Sequence, residues 1–340
     1  MSLSFSPDGH FRIVQFNDTQ DTHLTDRRTI EFMEKVLDQE QPNFALINGD
    51  VISGGQGTNL EVYQSINNVV MPMESRGIPW AITFGNHEED STEQAGTTVF
   101  KPEMVSFVRQ YEHNVNPEVV DKLPGCSNGQ VLIDDAFAIW LLDSGRYISP
   151  RINAQSMQFM PIYDYIRPQQ VQWFLEQATK VPGLLFFHIP TYEHADMWNG
   201  GPGKNSEFDH YEAVNHYGIV GEKNEAVDYG AFNSGIFAAA LERGDIVGIY
   251  CGHDHINSYK GTYYGIELGF SPGTGFGPYG FQGEDKHRLR GARVFDLDAN
   301  SSRVYQGTRL VLAKDLGLDM TPEKQPIAEP VEFPDYVRLS

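Results

Sequence analysis

Carboxylate, amide and imidazole side chains gather in five short clusters of this chain: Asp18 to His23, Gly49-Asp50, Gly85-Asn86-His87-Glu88, His188, and Gly252-His253-Asp254-His255. Oxygen and imidazole groups of this kind bind divalent cations such as manganese, iron and zinc. An imidazole near its ordinary pKa can also carry a proton at neutral pH, so His87 is a candidate acid. Singly, each cluster has an ordinary reading. Gly49-Asp50 fits a turn or a helix cap, Gly85-Asn86 fits a turn beside a surface histidine, and His188 fits a hydrogen-bonded core histidine. Two imidazoles two residues apart, His253 and His255, can each face a different ion where a strand becomes a loop.

Placement unites the clusters. Each follows an apolar run that reads as a short buried strand: 11–16, 43–47, 80–84, 184–187 and 245–251. Ligands of open α/β sheets collect outside the carboxyl ends of strands, so five segments can project into one crevice, which suits a two-metal centre. Residues 27–39 carry Ile30, Met33, Val36 and Leu37 at helical spacing, closed by Pro42, and 58–74 and 168–180 read likewise as helices. The runs 131–142, 263–270, 292–298 and 302–310 read as strands of a later, partly antiparallel sheet.

In order and spacing the clusters resemble the calcineurin-like metallophosphoesterase superfamily, whose pattern is Asp-x-His, Gly-Asp, Gly-Asn-His-Asp/Glu, a single His, then Gly-His-x-His. Gly85-Asn86-His87-Glu88-Glu89-Asp90, His188-Ile189-Pro190, Asn233-Ser234-Gly235, Gly252-His253-Asp254-His255 and Gly291-Ala292-Arg293-Val294 are similar to its purple-acid-phosphatase-like, Dcr2-like branch. The resemblance implies an α/β fold, a four-layer αββα sandwich with two mixed sheets face to face and helices outside. It implies two divalent ions (Mn, Fe or Zn), with Asp50 bridging both, Asn86, His188 and His253 holding one, and Asp18 and His255 the other. Metal-bound hydroxide would attack a phosphomonoester or phosphodiester in line, and His87 would stand beside the leaving group.

The first cluster departs from the family pattern. If Asp18 follows its strand as in most members, Gln20 occupies the histidine position and offers a neutral carbonyl oxygen instead. If Asp21-Thr22-His23 is the motif, the usual ligands return after a three-residue extension of the turn. The Asp18 register keeps the usual interval and is preferred, with Asp21 and His23 as supporting groups. Losing an imidazole weakens one metal position, which leaves a metal-binding pseudoenzyme as the alternative reading. Val51, Ile52 and Ser53 follow Asp50, so no iron-tyrosinate chromophore is expected.

The 340 residues carry a formal net charge of -21, a field that opposes nucleic acid and anionic membrane but not a phosphate ester drawn to bound metal. Only Cys126 and Cys251 are present, and two free thiols in a reducing, cytoplasmic setting are expected, with a removed leader peptide as the alternative. No 18-residue apolar stretch occurs. One domain over 1–320 is expected. Within it, Gly/Asn/His-rich 190–232 reads as a long lid loop and 269–283, with Phe270, Phe276, Tyr279 and Phe281, as a second wall. The Pro-rich tail 321–340 reads as an extended strap. Oligomeric state is not legible.

Overall fold

The computed structural model describes residues 3–155, 162–202, 204 and 206–339. Two sheets form its centre. The first has the order β11-β10-β1-β2-β3, from Tyr305–Leu312, Gly291–Asp298, His10–Phe16, Phe44–Asn48 and Trp80–Thr83. The second has the order β4-β5-β6-β7-β9-β8, from Gly129–Ile133, Phe137–Leu141, Gly183–Phe186, Ile246–Cys251, Ile266–Phe270 and Lys260–Tyr263. The pairs β1/β2 and β2/β3 are parallel, as are β5/β6, β6/β7 and β7/β9, while β1/β10, β10/β11, β4/β5 and β8/β9 are antiparallel.

Alternation along the strands builds the layers. In β1, Phe11 and Ile13 face the second sheet and meet Phe186, Tyr250 and Ile139, whereas Val14 and Phe16 lie in the cluster beneath the helices. Helices α1 (Arg27–Glu40), α2 (Asn59–Glu74) and α4 (Lys101–Val108) cover the outside of the first sheet; the short α3 is Asp90–Ala95. Beyond α5 (Pro150–Gln155), the second sheet is covered by α6 (Pro168–Glu176), α7 (Tyr192–Asn199), α8 (Ser206–Tyr217) and α9 (Ile236–Arg243). Two mixed sheets flanked by helices match the fold that the resemblance implies.

Local chemistry sets the helix ends. Asp26 caps α1 by accepting from Arg28 N, and α1 ends at Gln41 in the left-handed region, just before Pro42. Thr58 caps α2 by accepting from Glu61 N. The third expected helix stops earlier, at Glu176, because Gln177 is extended. The tail runs extended across the helices: Ile327 N donates to Thr25 O, Val331 N to Asn68 Oδ1 and Arg338 N to Gln110 Oε1. Arg28, with no side-chain exposure, pairs with Asp26 and donates to the carbonyls of Asp319, Thr321 and Glu323.

Two expectations are corrected. The run 131–142 is a hairpin and not one strand, because Asp134 and Asp135 take left-handed φ of 46° and 53° and turn the chain within the three residues 134–136. The segment 190–232 is not a long loop. It holds α7 and α8, whose Met197 and Ala213 are buried against the second sheet, and only its later part stays irregular; residues 203 and 205 lie outside the described set. Both cysteines are free, and no helix among the described residues is long and apolar enough to cross a membrane.

Candidate metal centre

The five clusters converge where parallel strands end. Asp18 follows β1, Asp50 follows β2, Asn86 and His87 follow β3, His188 follows β6, and His253 and His255 follow β7. The turns that carry them are strained: Asp18, Gln20, Asp50 and His253 have φ of 51°, 27°, 48° and 75°. Non-glycine residues adopt that region at a cost, and such conformations cluster at functional sites. Close approach also demands two glycines. A Cβ on Gly49 would lie 2.5 Å from the His188 ring, and one on Gly85 would lie 2.3 Å from Asp50 Oδ1.

Two ligand triads result, Asp50 with His188 and His253, and Asp18 with Asp50 and His255, in each of which the ligand atoms lie within 4.8 Å of one another. Asp50 is common to both. His188 Nε2 stands 3.0 Å from Asp50 Oδ2, and His255 Nε2 stands 3.2 Å from Asp18 Oδ1. The rings are set by their other nitrogens. His188 Nδ1 is 2.9 Å from Asn48 O and His255 Nδ1 is 3.3 Å from Tyr279 O; a carbonyl only accepts, so each Nδ1 carries a proton and Nε2 faces the centre.

The residues fit divalent cations. Asp18 Oδ1, Asn86 Oδ1, His188 Nε2, His253 Nε2 and Gln20 Oε1 are all buried without a hydrogen-bond partner. Each such atom costs about 1–3 kcal/mol, and those of Asp18, His188 and His253 belong to the two triads, where cations would satisfy them together. Electrostatics agree. Burial raises the Asp50 pKa, but His188 and His87 outweigh it and hold the carboxylate ionised. Burial lowers the His188 pKa, yet Asp50 and Asp18 outweigh it and push the ring up to about 10, so without a cation Nε2 holds a proton toward Asp50 that a cation would have to displace. His253 is held down to about 3 by burial and by His188, so it is a neutral, ligand-competent imidazole.

In the first cluster it is Asp18 that joins a triad. Asp18 Oδ2 accepts from His253 N, 3.1 Å, whereas Asp21 points away, accepting from Thr22 N and Asp26 N and pairing with Lys324. His23 stands 3.9 Å from Glu61 and joins neither triad. Gln20 lies on the Asp18 turn, its backbone N donating to Asp50 O. His87 sits at the mouth with its side chain 32 % exposed; its backbone N donates to Asp50 Oδ1 and its Nδ1 lies 2.6 Å from Asp90 Oδ2. Burial lowers the His87 pKa, but Asp50 and Asp90 outweigh it and push it up to about 9.

Several supporting residues were not legible as such. Glu88 accepts from Val51 N and Gly85 N, fastening the Asp50 turn to the Asn86 turn. Arg146 donates to Asn86 O and pairs with Asp90. Asn48 Nδ2 bridges the sheets to Phe187 O and Tyr250 O; a lone amide ending an apolar strand was the available signal. Tyr163 meets the His253 ring edge-on at 4.3 Å, Tyr279 stacks on His255 at 4.0 Å, and the second expected wall, 269–283, supplies Tyr279.

A model of the family described as calcineurin-like phosphoesterase matches residues 11–257. The chain is 28% identical over 346 residues to "Probable inactive purple acid phosphatase 29" of Arabidopsis thaliana, covering 88% of this chain and 80% of that one. It is 25% identical over 349 residues to "Phosphatase DCR2" of Saccharomyces cerevisiae, covering 91% of this chain and 55% of that one. A crystal structure of a dimetal phosphatase from Danio rerio superposes with a TM-score of 0.50 at 13% identity, over 89% of this chain and 99% of that one, a likeness of fold.

Proposed function

The chain belongs to the calcineurin-like phosphoesterase family and is a metal-dependent phosphoesterase; from that premise we propose that it hydrolyses a phosphomonoester or phosphodiester at a pair of divalent ions held by the two triads. The observation that carries this reading is Asp50, the one carboxylate common to both triads. In this reading Asn86, His188 and His253 hold one cation, and Asp18, His255 and Gln20 the other. Manganese, iron or zinc there would screen the phosphoryl oxygens and lower the pKa of a water to near neutrality.

The chain's own groups do the rest. Asp50, kept ionised and fixed by His87 N, would be shared by the two cations. His188 and His255 are each locked by a carbonyl on Nδ1, so Nε2 binds without reorganising. His87 at the mouth keeps Nδ1 on Asp90, which leaves Nε2 to give a proton to the departing alcohol oxygen. The test is hydrolysis of para-nitrophenyl phosphate and its bis ester by metal-stripped protein reloaded with Mn²⁺, Zn²⁺ or Fe²⁺. Restored turnover that Asp50→Asn lacks supports the reading, and the preferred ester separates monoesterase from diesterase.

One observation favours a second reading. Gln20 provides an amide where an imidazole would bind more firmly, so a protein that holds metal and phosphate without turnover is the alternative. Phosphate binding with no hydrolysis under any of the three metals would support it.

A further inference from the structure

The two halves of the centre are not equivalent. One offers the imidazoles of His188 and His253 beside Asp50; the other offers a single imidazole, His255, beside Asp18 and Asp50, with the Gln20 amide on the same turn. Behind that second half lies Arg290, which is 2% exposed. Its Nη2 donates to Pro278 O and Tyr279 O, its Nε to His287 Nδ1, and its Nη1 has no partner. Among the described residues no carboxylate lies within ion-pair distance of it, and Asp18 is the anionic group whose field acts on it most.

Arg290 reaches this place because residue 273 is glycine: a Cβ there would lie 3.1 Å from Arg290 Nη1 and 3.2 Å from His255 Cβ. Tyr279 O accepts from both Arg290 Nη2 at 2.6 Å and His255 Nδ1 at 3.3 Å. A carbonyl already engaged by a guanidinium polarises the imidazole less, and that leaves His255 a poorer donor at Nε2. The buried charge also draws on the field of Asp18, the carboxylate a cation there would need.

We propose that the Asp18–His255 position is a loosely held, exchangeable cation position, that Arg290 is the positioning residue that sets its weakness, and that the protein fills it only as free divalent cation rises. This rests on the two-ion reading above and adds its regulation: one ion is resident, and the second acts as the signal. Occupancy of the second position then follows the cation supply, not the substrate.

The test titrates metal-stripped full-length protein with Mn²⁺ alone, counting free ion by electron paramagnetic resonance and bound ions by native mass spectrometry. Two steps separated by about tenfold or more are expected. Arg290→Gln should tighten the weaker step and leave the stronger one, and His253→Ala should remove the stronger. Two equal steps, or separated steps that Arg290→Gln leaves in place, would overturn the inference while keeping the two-ion reading; failure to bind a second ion at saturation would instead defeat that reading. Should Arg290→Gln not fold, Gln20→His serves: tightening of the weaker step alone supports the assignment, and any other pattern refutes it.

Discussion

The metal centre and the anchor of the C-terminal strap bury similar groups to opposite ends. At the anchor, Arg28 and Asp26 are both without side-chain exposure, and every guanidinium nitrogen has an acceptor. At the centre, acidic, amide and imidazole groups are buried as well, yet five of their atoms have no hydrogen-bond partner and four residues sit at positive φ. A satisfied buried polar cluster holds elements together; an unsatisfied one carries a cost that a bound group of opposite charge would offset. The contrast extends to a single loop, where Asp18 turns into the centre and Asp21, three residues on, is fully engaged by Thr22 N, Asp26 N and Lys324.

Substitution separates the two regions most strongly. Asp50→Asn should cut metal-restored hydrolysis by about a thousandfold or more, some 4 kcal/mol in the barrier, while leaving the unfolding free energy of the metal-free protein unchanged or raised. Arg28→Ala should do the reverse: it strands Asp26 and three carbonyls, costing about 3–5 kcal/mol in urea unfolding, with Mn²⁺ stoichiometry intact in the folded fraction. A loss of metal binding in Arg28→Ala would show that the two regions are coupled.

Saturating metal acts on the centre alone. Mn²⁺ at a hundredfold its dissociation constant should stabilise the protein by about 2.7 kcal/mol, seen as a raised melting temperature that His188→Ala reduces. A smaller effect separates stability from chemistry by pH. Burial holds His194, under the second sheet's helices, down to about 3, so between that value and the ordinary 6.5 the unfolded chain takes up a proton that the native chain refuses. Stability should therefore fall as pH drops through that window, by at most about 1.4 kcal/mol per unit from this residue. His194→Phe should flatten the slope in urea titrations at successive pH values.

What was legible follows from what repeats locally. Residues placed just after apolar runs could be read because strand and turn are both short-range, and Asp18, Asp50, His188, His253 and His255 come within reach of one another. The helices of 190–232 were hidden because their composition is that of a loop. What makes them helical is burial of Met197 and Ala213 on the sheet and the His194 ring at the N-cap Thr191, both decided by tertiary contact. Arg146, Glu88 and Arg290 were hidden for the same reason, since each acts through a partner brought near by the fold. The paired aspartates 134 and 135 carried a turn signal that strand propensity on either side masked.

Gly49 and Gly85 carry no chemistry, yet each leaves room that a single methyl group would take from His188 or Asp50. The centre can thus be lost during evolution without any ligand changing. A homologue that keeps every carboxylate and imidazole but gains a side chain at either position is expected to be silent, so the glycines are as diagnostic of a working enzyme as the ligands they separate.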